Sequence, residues 1–215
     1  MAGLGEGRVA GKVAFITGAA HGQGRSHAVR LAQEGADIIA VDYCTDFSTI
    51  GYKMATPEDL EETKNYVEKT GQRCFTAQAD VRDATALATA LEAGIAELGK
   101  LDIVVAQAGI AGMKGQPPLQ AWTDVINVNL VGTINAVQVS LPHLKEGAAI
   151  VATASAAALM DAHNKPNPGG DPGGMAYMTS KRMISQFMHD MATELSPRGI
   201  RANVICPGPV RTEID

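Results

Sequence analysis

Tyr177 and Lys181 stand four residues apart at the start of a helical segment, so their side chains share one helix face and can act on one small molecule. A free phenol titrates near about 10 and is a poor base at neutral pH, whereas a fixed ammonium beside it favours the phenolate. Such a pair can exchange a proton with an alcohol oxygen. With four tyrosines in the chain, a Tyr-x-x-x-Lys pair alone is a weak signal and needs partners. Ser155 directly follows a strand candidate, which puts its hydroxyl at the carboxyl edge of a sheet, where it can hold a substrate oxygen. The bland alternative is that Thr153 and Ser155 are merely small residues at an alanine-rich strand end. Asn129, in Asn127-Val128-Asn129, sits inside a helical stretch as a poor helix former, and its side chain is expected to order a water.

A second constellation lies near the N-terminus. The run Thr17-Gly18-Ala19-Ala20-His21-Gly22-Gln23-Gly24 joins a strand candidate to a helix candidate. Glycines at Gly18, Gly22 and Gly24 let the backbone turn tightly, approach a pyrophosphate closely and aim helix N-terminal amides at its charge. The reading is a dinucleotide site, against an ordinary strand-to-helix turn. Asp42 ends the next strand, eighteen residues beyond Gly24, where a carboxylate can accept from an adenosine ribose. A 2'-phosphate would be repelled there, and no Arg or Lys follows within several positions; His21, the one nearby group that can turn cationic, is mostly neutral at pH 7. NAD is the expected cofactor, with a solvated strand-end acid as the alternative for Asp42.

The elements that must position these residues follow from periodicity. Strands are expected at 13–17, 37–41, 73–77, 103–106, 149–152 and 202–206, and helices at 24–34, 57–69, 84–98, 122–141 and 175–195. Pro57 suits a first helical turn, and Gly35, Gly71 and Gly99 stand where helices should end. Strict alternation with strands apolar on both faces predicts an α/β fold: a doubly wound parallel sheet in one domain of three layers. Two stretches break the rhythm. Tyr43 to Thr56 is too long for a simple connection and is expected to fold over the adenosine half of the cofactor, with Tyr43, Phe47, Ile50 and Tyr52 as its apolar underside; the alternative is a mobile surface loop. Met160 to Gly174, rich in Gly, Pro and Asn, is expected to be a surface loop, with His163 solvated in it.

Composition excludes several classes. Hydrophobic residues make up 46% and charged residues 19% of 215, which argues against disorder and coiled coil. The net charge of -5, without a basic, aromatic-interleaved run, argues against nucleic acid. The uncharged stretch Gly147 to Met160 is too short for a membrane span, and no signal segment opens the chain. Three scattered cysteines without a Cys-x-x-Cys pair suit buried thiols in a reducing compartment, so the cytoplasm is expected. His27 and His189 lack partners at ligand spacing, and no metal is expected. Trp122 is read as a core or subunit contact, and Met175, Met178, Met183, Met188 and Met191 as an adaptable face, so that self-association to a dimer or tetramer is expected.

Taken together, these residues resemble the short-chain dehydrogenase/reductases, over essentially the whole chain. Thr17-Gly18-x-x-x-Gly22-x-Gly24 is similar to that family's cofactor motif, Asp80-Val81 to its adenine-side pair, and Asn129, Ser155, Tyr177 and Lys181 to its tetrad in order. Pro207-Gly208-Pro209-Val210-Arg211-Thr212 resembles the motif that closes over the nicotinamide carboxamide, with Pro207, Gly208, Val210 and Thr212 as implied contacts. Gln107-Ala108-Gly109 stands where the family carries Asn-Ala-Gly, a longer amide at the position that supports the central strands. Gly22-Gln23-Gly24-Arg25-Ser26-His27 and the two inserts look most like the actinobacterial, mycofactocin-associated, carveol-dehydrogenase-like branch. The resemblance implies a Rossmann-like fold and hydride transfer between NAD and a secondary alcohol or ketone. It also implies an external electron acceptor for a cofactor that does not leave. Because the chain stops at Asp215, the substrate lid and a last strand are expected to be absent, and a non-catalytic NAD-binding scaffold is the rival reading.

Overall fold

The computed structural model describes residues 7–113, 115–159 and 171–211. Among them, six parallel strands form one sheet in the order β3-β2-β1-β4-β5-β6: β1 Val13–Thr17, β2 Asp37–Asp42, β3 Cys74–Gln78, β4 Leu101–Ala106, β5 Leu144–Thr153 and β6 Arg201–Ile205. The doubly wound α/β expectation is met. The order reverses between β1 and β4, which opens a crevice at the carboxyl ends of the strands. All five residues of β1 are buried, as a strand covered on both faces requires.

One face of the sheet is covered by α1 (Gly22–Gln33) and α2 (Pro57–Glu68), packed through Ala28, Ala32, Leu60 and Val67. The other carries α3 (Ala84–Leu98), α4 (Pro118–Val125), α5 (Gly132–Ser140) and α6 (Pro172–Leu195), with Leu87, Leu91, Val137, Ile184, Met188 and Leu195 buried in the core on that side. Local signals explain where helices begin. Thr56 and Asp59 cap α2 reciprocally, with Pro57 in its first turn, and Asp83 accepts from Thr85 and Ala86 at the start of α3.

Two expectations change. The single helix expected over 122–141 is α4 and α5 joined by a π-helical turn, Ile126–Val131. The loop expected through Gly174 ends earlier, because Pro172 opens α6 from the one interior-compatible position for proline, the first turn. His163 and most of that loop lie outside the described residues.

Candidate active site

The crevice holds a cleft of about 750 Å³, lined by Gly18, His21, Gly22, Gln23, Gly24, Asp42, Asp80, Val81, Gln107, Ala108 and Gly109. The sequence-predicted cofactor residues up to Gly109 therefore converge on one place. Its floor depends on glycine: a Cβ on Gly24 would lie 1.8 Å from the carbonyl oxygen of Gly18, and Gly18 itself has φ +69°. His21 precedes α1, and its Nε2 is buried without a partner among the described residues.

Asp42 is not a free strand-end acid. Its Oδ2 accepts from the Ala20 amide at 3.0 Å and its Oδ1 from the Cys44 amide at 3.1 Å, which fixes the carboxylate on the cleft wall. Cys44 itself takes a left-handed backbone, φ 52°, which is rare for a non-glycine residue. Burial, and then the Asp42 charge, push the Cys44 thiol up to about 12, so it stays protonated. Arg25 braces the same loop from behind: its Nε donates to the Ala20 carbonyl and to Thr63, and its guanidinium pairs with Glu62.

A cation that chain spacing could not reveal approaches from the turn after β3. Arg82 pairs with Asp80 at 2.6 Å, and its guanidinium lies 4.7 Å from the ring centre of Phe47 and 5.4 Å from that of Tyr43. Its charge is thus matched by Asp80, while its planar face holds the insert. Val81 is buried, and Asn135 of α5 donates to its carbonyl at 2.8 Å.

The insert divides its work. Tyr43 and Phe47, with Met54, line the cleft, in keeping with the expected underside. Ile50 and Tyr52 instead pack on the hydrophobic core, and neither lines the cleft. Thr49 is buried and donates to Asp124 of α4 at 2.5 Å, whose other oxygen accepts from Gln120. Most of the predicted apolar residues are anchored, because a stretch this apolar gains more from the core than from solvent.

A second cleft, about 400 Å³, adjoins the first and is lined by Thr153, Ser155, Tyr177, Lys181, Pro207 and Gly208. Gln23, Gln107 and Gly109 belong to both walls, so the two clefts are neighbours. Lys181 is buried, its Nζ donates to the Thr153 carbonyl at 2.8 Å, and it lies 5.6 Å from the ring centre of Tyr177. Burial lowers its pKa to about 8. The Ser155 hydroxyl accepts from the Ala157 amide at 3.1 Å, where the chain turns out of β5. Gln107 retains the supporting role that a shorter amide was expected to fill: its Oε1 accepts from Thr153 Oγ1 at 2.5 Å, joining the ends of β4 and β5. Val210 is exposed and lines neither cleft, and Thr212 lies outside the described residues.

Asn129 corrects the sequence reading. Its side chain is fully buried in the π-helical turn and is spent on protein groups, not on ordering a water. Oδ1 accepts from the Ile110 amide at 2.8 Å, while Nδ2 donates to the Ile110 carbonyl at 2.9 Å and to Ser180 Oγ at 3.3 Å. Sequence reasoning missed Arg82 and Asn135, and it missed the hydrogen-bonding roles of Thr153 and Tyr52. Thr153, beside Ser155, and Tyr52, in the long insert, carried local signals; the other two did not.

No helix among the described residues is long and apolar enough to cross a membrane, and no described cluster of His, Cys, Asp and Glu suits a metal ion.

Comparison with known proteins agrees with this geometry. The profile of the short chain dehydrogenase family matches residues 12–215. An uncharacterized oxidoreductase of Mycobacterium tuberculosis is 46% identical over 205 residues, covering 94% of this chain and 73% of that protein. (-)-trans-Carveol dehydrogenase of Rhodococcus erythropolis is 39% identical over 211 residues, covering 95% and 73%. The crystal structure of carveol dehydrogenase from Mycobacterium avium in complex with NAD is 43% identical and matches with a TM-score of 0.86 over 97% of this chain and 74% of that one. The chain belongs to the short-chain dehydrogenase family.

Proposed function

We propose that this protein is an NAD-dependent oxidoreductase acting on a secondary alcohol or the matching ketone, with Tyr177 as general acid and base. The observation that carries the reading is the adjacency of the two clefts: a glycine-floored crevice suited to a dinucleotide shares Gln23, Gln107 and Gly109 with a pocket walled by Ser155, Tyr177 and Lys181. The residues present suit a dinucleotide. The Gly18–Gly24 approach leaves room for a pyrophosphate, the buried Nε2 of His21 has no partner among the described residues, and Asp42 is held for ribose hydroxyls.

When bound, the nicotinamide supplies the hydride acceptor or donor. Ser155 orients the substrate oxygen with its hydroxyl. Tyr177 takes the proton from that oxygen during oxidation and returns it during reduction. Lys181, charged in about half of molecules near pH 8, binds ribose hydroxyls beside the Tyr177 ring. Asn129 holds the loop beneath them. Tyr43 and Phe47, clamped by Arg82, cover the adenosine end and slow cofactor release, so that turnover calls for an external electron acceptor.

Relatives named (-)-trans-carveol dehydrogenase and cyclohexanol dehydrogenase supply the first probes. Purified protein supplemented with NAD should oxidise one of these alcohols and form NADH, or bleach a redox dye when the cofactor stays bound. Failure with both alcohols, their ketones and a panel of cyclic secondary alcohols, with NAD bound, would reject the reading.

A further inference from the structure

The insert touches the catalytic machinery through one hydroxyl. Tyr52 packs partly buried on the core, and its phenol oxygen accepts from the Ala111 amide at 2.9 Å. The carbonyl of the same peptide group, on Ile110, accepts from Asn129 Nδ2 at 2.9 Å. From Asn129 the chain of bonds continues, since Nδ2 also donates to Ser180 Oγ and Ser180 donates to the Tyr177 carbonyl at 2.7 Å. Ile110, Ala111, Asn129 and Ser180 are all buried, so water does not compete for these bonds, and a peptide group that accepts at one end and donates at the other is polarised in one sense.

The backbone around this chain has no slack. A Cβ on Gly109 would lie 3.3 Å from Lys181 Nζ and 3.4 Å from Asn129 Oδ1, and one on Gly173, in the first turn of α6, would lie 1.7 Å from the Gly112 carbonyl oxygen. The 109–112 turn is therefore wedged between Asn129, Lys181 and the helix end that carries Tyr177. Tyr52 is fixed on its other side independently of any cofactor, because Thr49 is tied to Asp124 three residues earlier. Burial pushes the Tyr52 phenol up to about 12, so it remains a neutral acceptor at all working pH values.

We propose that Tyr52 is a positioning residue of the active site: it fixes the Ile110–Ala111 peptide, which holds Asn129 and, through Ser180, the turn of α6 bearing Tyr177 and Lys181. The insert then has two separable halves, one facing the adenosine end of the cleft through Tyr43 and Phe47, the other steadying the proton-transfer residues through Tyr52. The role in turnover rests on the dehydrogenase reading above; the coupling itself does not.

Tyr52→Phe removes the acceptor and keeps the ring. Amide hydrogen exchange on the whole protein should speed up about tenfold at Ile110 and Ala111 and also across 177–181, as the loss of one buried hydrogen bond predicts. In the same variant kcat with cyclohexanol or (-)-trans-carveol should fall about tenfold with the NAD dissociation constant within about twofold. The deuterium isotope effect on kcat should rise, which mere loss of folded protein would not cause. Phe47→Ala should behave oppositely, loosening NAD and leaving exchange at 177–181 unchanged. Faster exchange confined to Ile110 and Ala111, or unchanged exchange at both places, would overturn the proposal. A wild type that oxidises no probe alcohol would instead reject the dehydrogenase reading, with exchange at 177–181 still deciding the coupling.

Discussion

Thr153 serves Lys181 and Gln107 at once: its carbonyl accepts from Lys181 Nζ at 2.8 Å and its hydroxyl donates to Gln107 Oε1 at 2.5 Å. The end of β5 thus fixes a buried ammonium with a single strand-end residue. Burial lowers the Lys181 pKa from 10.5 to about 8. Below about pH 8 the native state carries a desolvated charge, a penalty that disappears as pH rises toward the unfolded value of 10.5. Wild type should therefore gain stability relative to Lys181→Met across that window, by an amount on the order of 3 kcal/mol. Urea unfolding of both proteins at the two ends of the window measures the difference, and a constant gap would contradict the assignment.

Tyr177→Phe should reduce turnover more than tenfold, roughly 1.4 kcal/mol or more in barrier, while NAD binds as before, because the lost group moves a proton and does not anchor the nucleotide. Lys181→Ala should harm both. Calorimetric NAD titration alongside steady-state rates separates the two variants, and a Tyr177→Phe enzyme with more than a tenth of wild-type activity would exclude Tyr177 as the proton donor.

Asp42 presents its carboxylate to the cleft with one backbone amide on each oxygen. NAD should bind at least about tenfold more tightly than NADP, some 1.4 kcal/mol, and Asp42→Ala should narrow that ratio. Arg82 adds little attraction for a 2'-phosphate, because Asp80 neutralises it. Equal affinities in wild type would defeat the prediction.

Arg82→Ala removes the planar cation from the rings of Tyr43 and Phe47. At about 0.5–1 kcal/mol per exposed contact, NAD should dissociate several-fold faster. Replacing 43–56 with a short Gly-Ser turn should accelerate release further. Dialysis of the NAD-loaded proteins gives both rates; three equal rates would show that the insert does not cover the cofactor.

Met175 and Met183 of α6 are 56% and 50% exposed, and Trp122 of α4 is only partly buried against the core. We expect these packed helices to form a self-complementary contact. Sedimentation at micromolar concentration should show a dimer or larger assembly, and Met183→Lys should weaken it.

The parts of this molecule legible in its sequence are those governed by neighbours in the chain. β1 and α3 coincide with their expected bounds, since buried β-branched runs and an Asp83 cap with Gly99 at the far end are local signals. Gly18, Gly24 and Asp42 were readable for the same reason. The π-helical turn was not, and the bonds made from within it by Asn129 run to Ile110, nineteen residues away. Arg82 escaped notice because what matters is its approach to Tyr43, while Tyr52 was read for its apolar ring as a flap residue although its hydroxyl found a backbone amide.

The π-helical turn has a consequence for helical phase. An added residue advances every later side chain by about 100° around the axis, a quarter turn and slightly more. Upstream of the slip α4 packs on α6, and downstream of it α5 packs on α3. One nearly continuous rod can thus present its first half to the helix bearing Tyr177 and its second half to the helix after Arg82. Deleting one residue from 126–131 would let an unbroken α-helix form, yet it could satisfy only one of those neighbours.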